Sequence, residues 1–281
     1  MSDDAAALPT RTETATDMVT PACVAALGAT LDLETALHTG DALPYLWHWI
    51  FFRSVTPQSQ LGSDGHRKKG GFLPDLGLPR RMWAGGRLRF LSPLAIGDSI
   101  VRESRIVGVS QKEGRSGKLA FVTVGHQIRT LAGLLAIEEE QDIVYRQPAT
   151  PGAASPSPTA APSQALWHTE IIPDEVLLFR YSALTFNGHR IHYDKSYATG
   201  TECYPNLVVH GPLIATLLMD LLRREQPQVT VLEFSFKAIR PSFVGNSLNL
   251  CGQPSPDGKT IDLWSRDHEG WLTMSAQAIL A

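Results

Sequence analysis

The apolar positions fall into two similar stretches separated by a segment with almost nothing to bury. In the first stretch, an Ala/Leu-rich run from about Pro21 to Leu37 predicts a helix, and the aromatic run Leu43–Phe52 predicts a second, buried one. Residues 1–17 are polar and read as disordered or loosely docked. Residues 54–86 show little periodicity and read as a long loop, a feature that in a compact domain is usually functional. From Arg87 to Arg146 the pattern becomes strand-like, at Ile100–Val109, Leu119–Ile128 and Leu134–Tyr145, with Glu113–Gly117 as a turn. Residues 147–165 are Pro/Ala/Ser-rich and read as an extended, solvated linker. The second stretch repeats the plan. A helix start at Pro173-Asp174-Glu175 precedes a polar segment, and an apolar helix follows from about Pro212 to Arg224. Strands are predicted at Val229–Ile239, Ser247–Gly252, Thr260–Ser265 and Trp271–Leu280, with a hairpin at Asp257-Gly258. Ser92–Ile100 parallels Arg240–Leu248, with Pro and Gly at matched spacing. The chain thus reads as two helix-then-strands units.

Composition narrows the function. At 281 residues the chain suits one large or two small domains with a sizeable core, and a net charge of −3 without any basic block points away from nucleic acid and membrane surfaces. No apolar run approaches the roughly 20 residues of a membrane helix. The polar N-terminus has no signal-peptide core, and Cys23, Cys203 and Cys251 are scattered, so a reducing cytoplasm is expected.

Candidate chemistry concentrates in residues 179–194, FRYSALTFNGHRIHYD. Imidazole is the side chain whose ordinary pKa lies nearest neutrality, so His192 and His189 are the first candidates for proton transfer. Asn187 lies five positions before His192, a spacing at which a short helix and a turn can aim both into one cleft. Gly211-Pro212 opens the apolar helix, where unpaired N–H groups would favour a developing oxyanion. A base and an oxyanion site close in sequence fit acyl-group chemistry. No Gly-rich phosphate loop, nucleophile elbow or Cys/His pair is present. His189, His192, His210 and Cys203 have zinc-ligand chemistry, but H-x-x-H alone is a weak signal, and no metal is expected.

The segment Thr185-Phe186-Asn187-Gly188-His189-Arg190-Ile191-His192 resembles the motif Ser-Gly-Asp-x-Asn-Pro-x-His of the MaoC-like hydratases and dehydratases, with Asn187 in place of Asp. Gly211 matches the glycine that opens that family's central helix. Leu46–Trp49, Gly70–Pro74, Arg80–Gly86 and Lys112–Gly117 are similar to one branch, the type 2 hydroxyacyl-thioester dehydratases with the mesaconyl-C4-CoA and itaconyl-CoA hydratases. The resemblance implies an α+β fold, a tandem double hot dog of two antiparallel sheets each wrapped on a central helix. It implies a non-catalytic half at 1–148, a linker at 149–165 and a catalytic half at 166–281.

It further implies hydro-lyase chemistry on a CoA thioester, with His192 as acid/base, Asn187 orienting water and the Gly211 N–H as oxyanion donor. For His189, a substrate contact and a loop-ordering role both remain open. The most favoured substrates are mesaconyl-C4-CoA or itaconyl-CoA, and a dicarboxylate tail requires a cation such as Arg80, Arg81 or Arg87. For Arg67–Lys69 and Arg80-Arg81, solvated charge and contact with CoA phosphates are both open readings. No cofactor is expected beyond the CoA of the substrate, and a homodimer is a possible assembly. Two other functions compete: a hot-dog thioesterase, which Asn187 disfavours, and a non-catalytic acyl-thioester binding subunit.

Overall fold

The computed structural model describes residues 11–114, 117–147 and 157–281. Ten strands form one antiparallel sheet: β1 (Thr12–Met18), β2 (Arg80–Phe90), β3 (Ser99–Gly114), β4 (Gly117–Thr130), β5 (Leu135–Arg146), β6 (Trp167–Ile171), β7 (Val231–Ala238), β8 (Leu248–Pro254), β9 (Thr260–Arg266) and β10 (Leu272–Leu280). The order is β1-β3-β4-β5-β2-β7-β10-β9-β8-β6. Counted outward from the centre, the two halves have the same internal order, so the repeat seen in sequence is a pseudo-twofold about the β2–β7 pair. Matching bridges support it: Ala42 pairs Ala95 in the first half, and Val208 pairs Phe243 in the second. At the joint, Gly85 faces Lys237 and Gly86 faces Phe236. A Cβ on Gly85 would meet the Phe236 carbonyl at 2.6 Å, so glycine is what lets the halves pair closely.

Four helices pack on this sheet: α1 (Pro21–Thr30), α2 (Glu175–Thr185), α3 (Lys195–Gly200) and α4 (Gly211–Glu225). Every residue of α4 from Leu213 to Leu222 is buried. Its run of Leu, Ile, Ala and Met combines high helix propensity with apolar bulk, and truncating one such leucine costs about 2–5 kcal/mol. Asp220 is tolerated in this setting because Arg223 (2.5 Å) and Arg224 (3.4 Å) pair with it.

The first half has no counterpart of α4 among its described residues. Leu43–Phe52 is buried as expected but forms only a single 3-10 turn, Trp47–Ile50. Left-handed Leu46 (φ 69°) and Phe52 (φ 57°) stop helical propagation on either side. The two halves also differ in the cross-strand row that runs through their core. In the first half it reads Ser104, His126, Glu139, Leu88, and across the joint it continues as Phe234, Ala278, Ile261. Buried Glu139 accepts hydrogen bonds from Trp49 Nε1 (2.9 Å) and Gln141 Nε2 (2.8 Å) and lies 3.2 Å from His48 Nε2.

Several expectations need correction. Residues 12–17 are not loosely docked: they belong to β1, whose backbone pairs with β3 while its side chains stay mostly exposed. The presumed loop 54–86 ends at Arg80, where β2 begins, and a separate cluster packs Phe72, Leu73, Leu76 and Leu78 of this loop on Ile106, Val122 and Tyr145 of the sheet. Of the predicted linker, residues 148–156 lie outside the described residues. Its distal part is docked, since Ala160 bridges Trp271 and Leu272 N–H donates to the Thr159 carbonyl. The short strand β6 follows and was not foreseen. The expected N-terminal disorder at residues 1–10 and the tip of the 113–117 turn, residues 115–116, also lie outside the described residues.

Candidate active site

The histidine segment is shaped by two stops. Asp174 caps α2 by accepting from the Leu177 N–H (2.8 Å). At the other end Phe186 turns left-handed (φ 53°) and sends Asn187 N–H back to the Ser182 carbonyl (2.8 Å), so the chain leaves the helix sharply. Asn187 Oδ1 then accepts from the His189 N–H (3.0 Å), an Asx turn that fixes the amide and leaves its NH2 without a partner among the described residues. A 3-10 turn, Arg190–His192, carries the key imidazole inward to 7% exposure. Asp194 caps α3 through the Tyr197 N–H and also holds Arg190 (2.7 Å).

His192 lies against the start of α4. Its Nδ1–H donates to the Val208 carbonyl (2.7 Å), and its ring stacks on His210 (centroids 3.7 Å, 18°). His210 Nε2 in turn is 2.9 Å from Ser182 Oγ. Burial, then the charge of neighbouring His189, pushes the His192 pKa down to about 3, although the bond to Val208 opposes the shift. His192 is therefore a neutral imidazole whose tautomer is fixed by Val208, with the Nε2 lone pair available as a proton acceptor. Burial pushes His210 well below its ordinary pKa too, with His192 adding to the shift.

At α4's first turn, Pro212 cannot donate, and the Gly211 N–H has no acceptor among the described residues. The site therefore combines an orphan backbone donor with a neutral base on adjoining segments.

His189 stands between two partners. It meets His192 edge-on (5.4 Å, 88°) and lies 4.1 Å from the ring of His66. Burial first, then the charge of His66, lowers its pKa to about 3. His66 belongs to the long first-half loop, which the sequence reading marked as functional without singling out this residue. The loop docks on the histidine segment mainly through backbone. Arg190 N–H donates to the Asp64 carbonyl (2.9 Å), Arg190 Nη1 donates to the Ser63 carbonyl (3.0 Å), and Gly65 abuts Gly188. Against the upward push of burial, the hydrogen bonds and charge of His66 hold Asp64 well below the usual carboxylate range. The donor atoms of Asp64, His66 and His189 lie within 4.8 Å of one another, so among the described residues these three could hold a cation; Asp64 and His66 already engage each other at 3.2 Å.

The three expected substrate-binding arginines are in different situations. Arg80 is nearly buried against Glu202 (2.5 Å). Arg87 is half-exposed on the sheet and paired with Glu140 (2.9 Å) and Asp142 (2.7 Å), which raise its pKa. Arg81 donates to the Arg67 carbonyl (2.8 Å) and has no carboxylate partner among the described residues. It is also near enough to His189 for its charge to lower that pKa.

Two strand sets of equal order meeting edge to edge, with a long helix buried in one of them, define a double hot-dog protein. Solved structures with this fold superpose over almost the whole chain. A MaoC-like dehydratase matches with TM-score 0.71, 12% identity and 98% coverage of both chains. A Mycobacterium tuberculosis protein described as a double hot dog gives 0.60, at 16% identity, covering 97% of this chain and 96% of that one. Sequence places the chain more narrowly: residues 46–244 match hydroxyacyl-thioester dehydratase type 2, and the chain belongs to that family. It is therefore an enzyme of the hydratase/dehydratase class. It is 49% identical to the mesaconyl-C4-CoA hydratase of Chloroflexus aurantiacus, over 95% of this chain and 94% of the relative. It is 31% identical to the mitochondrial hydroxyacyl-thioester dehydratase type 2 of Schizosaccharomyces pombe, over 73% and 76% respectively. Among the described residues no helix is long and apolar enough to cross a membrane.

Proposed function

We propose that the chain hydrates the double bond of a short branched dicarboxylyl-CoA thioester, mesaconyl-C4-CoA or itaconyl-CoA, to give citramalyl-CoA. The substrate assignment is carried by the near full-length 49% identity to a mesaconyl-C4-CoA hydratase. The chemistry draws support from the buried neutral His192 facing the opening of α4.

In this reading the thioester oxygen accepts the Gly211 N–H, which draws electron density from Cβ. A water held by the Asn187 NH2 attacks Cβ, while its proton passes to His192 Nε2. With mesaconyl-C4-CoA the C–O bond forms as the C=C electrons move to the thioester as enolate, and the imidazolium then returns a proton to Cα. Itaconyl-CoA, whose methylene is not conjugated with the thioester, must first lose a Cα proton and gain one at the methylene carbon, which converts it to the mesaconyl form. An ordinary free imidazole is a better base than one held near pKa 3. The enolate forming beside His192 offsets this, since negative charge favours the imidazolium. Positioning supplies much of the remaining acceleration. His189 orders the segment and bounds the water site. Of the three expected arginines, Arg81 stays available to an anionic group of the ligand, the carboxylate or a phosphate of CoA. The reading needs no cofactor beyond the CoA of the substrate and carries the expectations of a homodimer working in the cytoplasm.

Incubating purified protein with mesaconyl-C4-CoA, itaconyl-CoA and crotonyl-CoA, and following loss of the enoyl absorbance together with free thiol, tests the proposal. Hydration of a dicarboxylyl thioester without thiol release supports it. Hydration confined to longer monocarboxylic enoyl thioesters would transfer support to the second reading, a dehydratase of 3-hydroxyacyl thioesters, which the 31% identity to the S. pombe enzyme favours. Thiol release would make it a thioesterase.

A further inference from the structure

A cavity of about 250 Å³ opens in the first half between β1, β3 and the start of the long loop. Three of its lining residues are arginines, Arg53, Arg67 and Arg102, against one carboxylate, Glu13. Arg67 is already paired with Glu13 (3.0 Å), and Arg53 donates to the Leu184 carbonyl (3.0 Å). Arg102 differs from both. It is half-buried, its guanidinium lies over the Phe52 ring (5.0 Å), and its Nε is sequestered with no hydrogen-bond partner among the described residues. Among the described residues it makes no ion pair. A guanidinium stays charged at any physiological pH, and burying one without a partner is costly. The balance in the cavity is two positive charges in excess, with a planar fork of donors unspent.

The cavity wall is tied to the histidine segment through the long loop. Gln60 and Arg67 line it, and between them the same loop reaches His189 and Arg190 with Asp64–His66. Arg53, on its wall, holds the last turn of α2 just before Asn187.

We propose that this cavity is an oxyanion site in which Arg102 grips an anionic group of the ligand. Two sources share that chemistry: the free carboxylate of a dicarboxylyl group and a phosphate of coenzyme A. Assigning the anion to the substrate rests on the hydratase reading; the existence of an anion site does not. An oxyanion here takes two N–H donors from the fork while the guanidinium stays over the Phe52 ring, giving Arg102 a partner that the described residues do not supply.

Calorimetric titration of wild type and Arg102→Met with succinyl-CoA, butyryl-CoA and free CoA tests this, because none of the three can be hydrated. Arg102→Met weakens succinyl-CoA by about 10- to 100-fold, the value of one or two hydrogen bonds to a charged group. If butyryl-CoA is unaffected the anion is the carboxylate; if all three weaken equally it is a phosphate. Arg102→Lys keeps the charge and the fold but loses the fork, and binds between wild type and the Met variant. Unchanged affinities for all three ligands overturn the proposal, as does equal weakening of both thioesters with free CoA unaffected. Wild type that binds in this Arg102-dependent way yet hydrates no enoyl thioester leaves the anion site standing and removes the hydratase reading.

Discussion

Gly65→Ala isolates the contact between the two halves at the candidate site. A Cβ on Gly65 would lie 1.8 Å from the Gly188 carbonyl oxygen, where real contacts stay beyond 3.0 Å. The oxygen belongs to backbone and the Cβ position is fixed by it, so no rotamer relieves the clash, and the segments must separate by roughly 1.2 Å. That separation stretches the Asp64–Arg190 and Ser63–Arg190 bonds and shifts His66 from His189. Misplacement of about 1 Å around a reacting centre can cost about 10²-fold in rate. Alanine at φ +88° also carries left-handed strain of roughly 1–2 kcal/mol, so a control is needed. Gly70 supplies it: its φ is +93° and nothing lies within 4 Å of its Cβ, so Gly70→Ala carries the strain without the collision. With mesaconyl-C4-CoA as substrate, Gly65→Ala is expected to lose about 10²-fold in kcat/KM. Gly70→Ala keeps wild-type kinetics, and both melt within a few degrees of each other. Equal kcat/KM for the two variants would refute the view that the first-half loop sets the catalytic geometry.

Gly211→Ala keeps the backbone N–H and tests whether the ligand packs against the Gly211 Cα. The protein has room for the methyl, whose nearest neighbour would be the Trp83 carbonyl at 3.9 Å, so Tm should hold while kcat/KM falls by up to about 10²-fold as the methyl displaces the thioester; wild-type kinetics would show that the thioester does not lie on this face of Gly211. Glu139→Ala leaves His48, Trp49 and Gln141 without their buried acceptor and should lower unfolding free energy by about 3–5 kcal/mol in denaturant titration, whereas a loss under about 1 kcal/mol would contradict the role of this cluster. Burial pushes the Glu139 pKa up, but the hydrogen bond and charge of His48 outweigh that and hold it at about 2. Its stabilisation is thus complete above the unfolded value near 4.5 and is lost as pH falls from there towards 2.

The imidazoles act earlier in an acid titration. Buried His189 and His192 have folded pKa values near 3, below the unfolded 6.5, so the unfolded chain binds protons first. Stability should therefore fall by about 2 kcal/mol per histidine between pH 7 and pH 5. Denaturation midpoints that do not move over this range would show that these rings are not buried neutral. For the same reason, kcat/KM should show no acid limb near pH 6.5 arising from His192; a limb there would place its pKa at the ordinary value.

Much of the fold is legible in sequence because burial writes itself as pattern. The apolar run of α4 and the alternation of β3, β4 and the second-half strands are examples. β1 and β6 escape because they are the edge strands of the sheet, held by backbone pairing that side-chain pattern does not record. The Leu43–Phe52 run has the composition of a buried helix, and only tertiary packing imposes left-handed Leu46 and Phe52. His192, Asn187 and Gly211 stand out by spacing and by family resemblance. Asp64 and His66 do not, because their relation to His189 spans more than a hundred positions and passes through two glycines. The arginines show the limit most clearly: sequence gives their charge, while the neighbours that occupy Arg80 and Arg87, and the absence of a partner for Arg102 among the described residues, are known only from the fold.

The most direct test of the account compares His192→Gln with wild type for hydration of mesaconyl-C4-CoA, alongside the affinity of each for succinyl-CoA. Loss of kcat by about 10²- to 10⁴-fold with succinyl-CoA binding preserved is the expected result. Turnover within a few-fold of wild type would contradict it, since no proton could then pass through this imidazole.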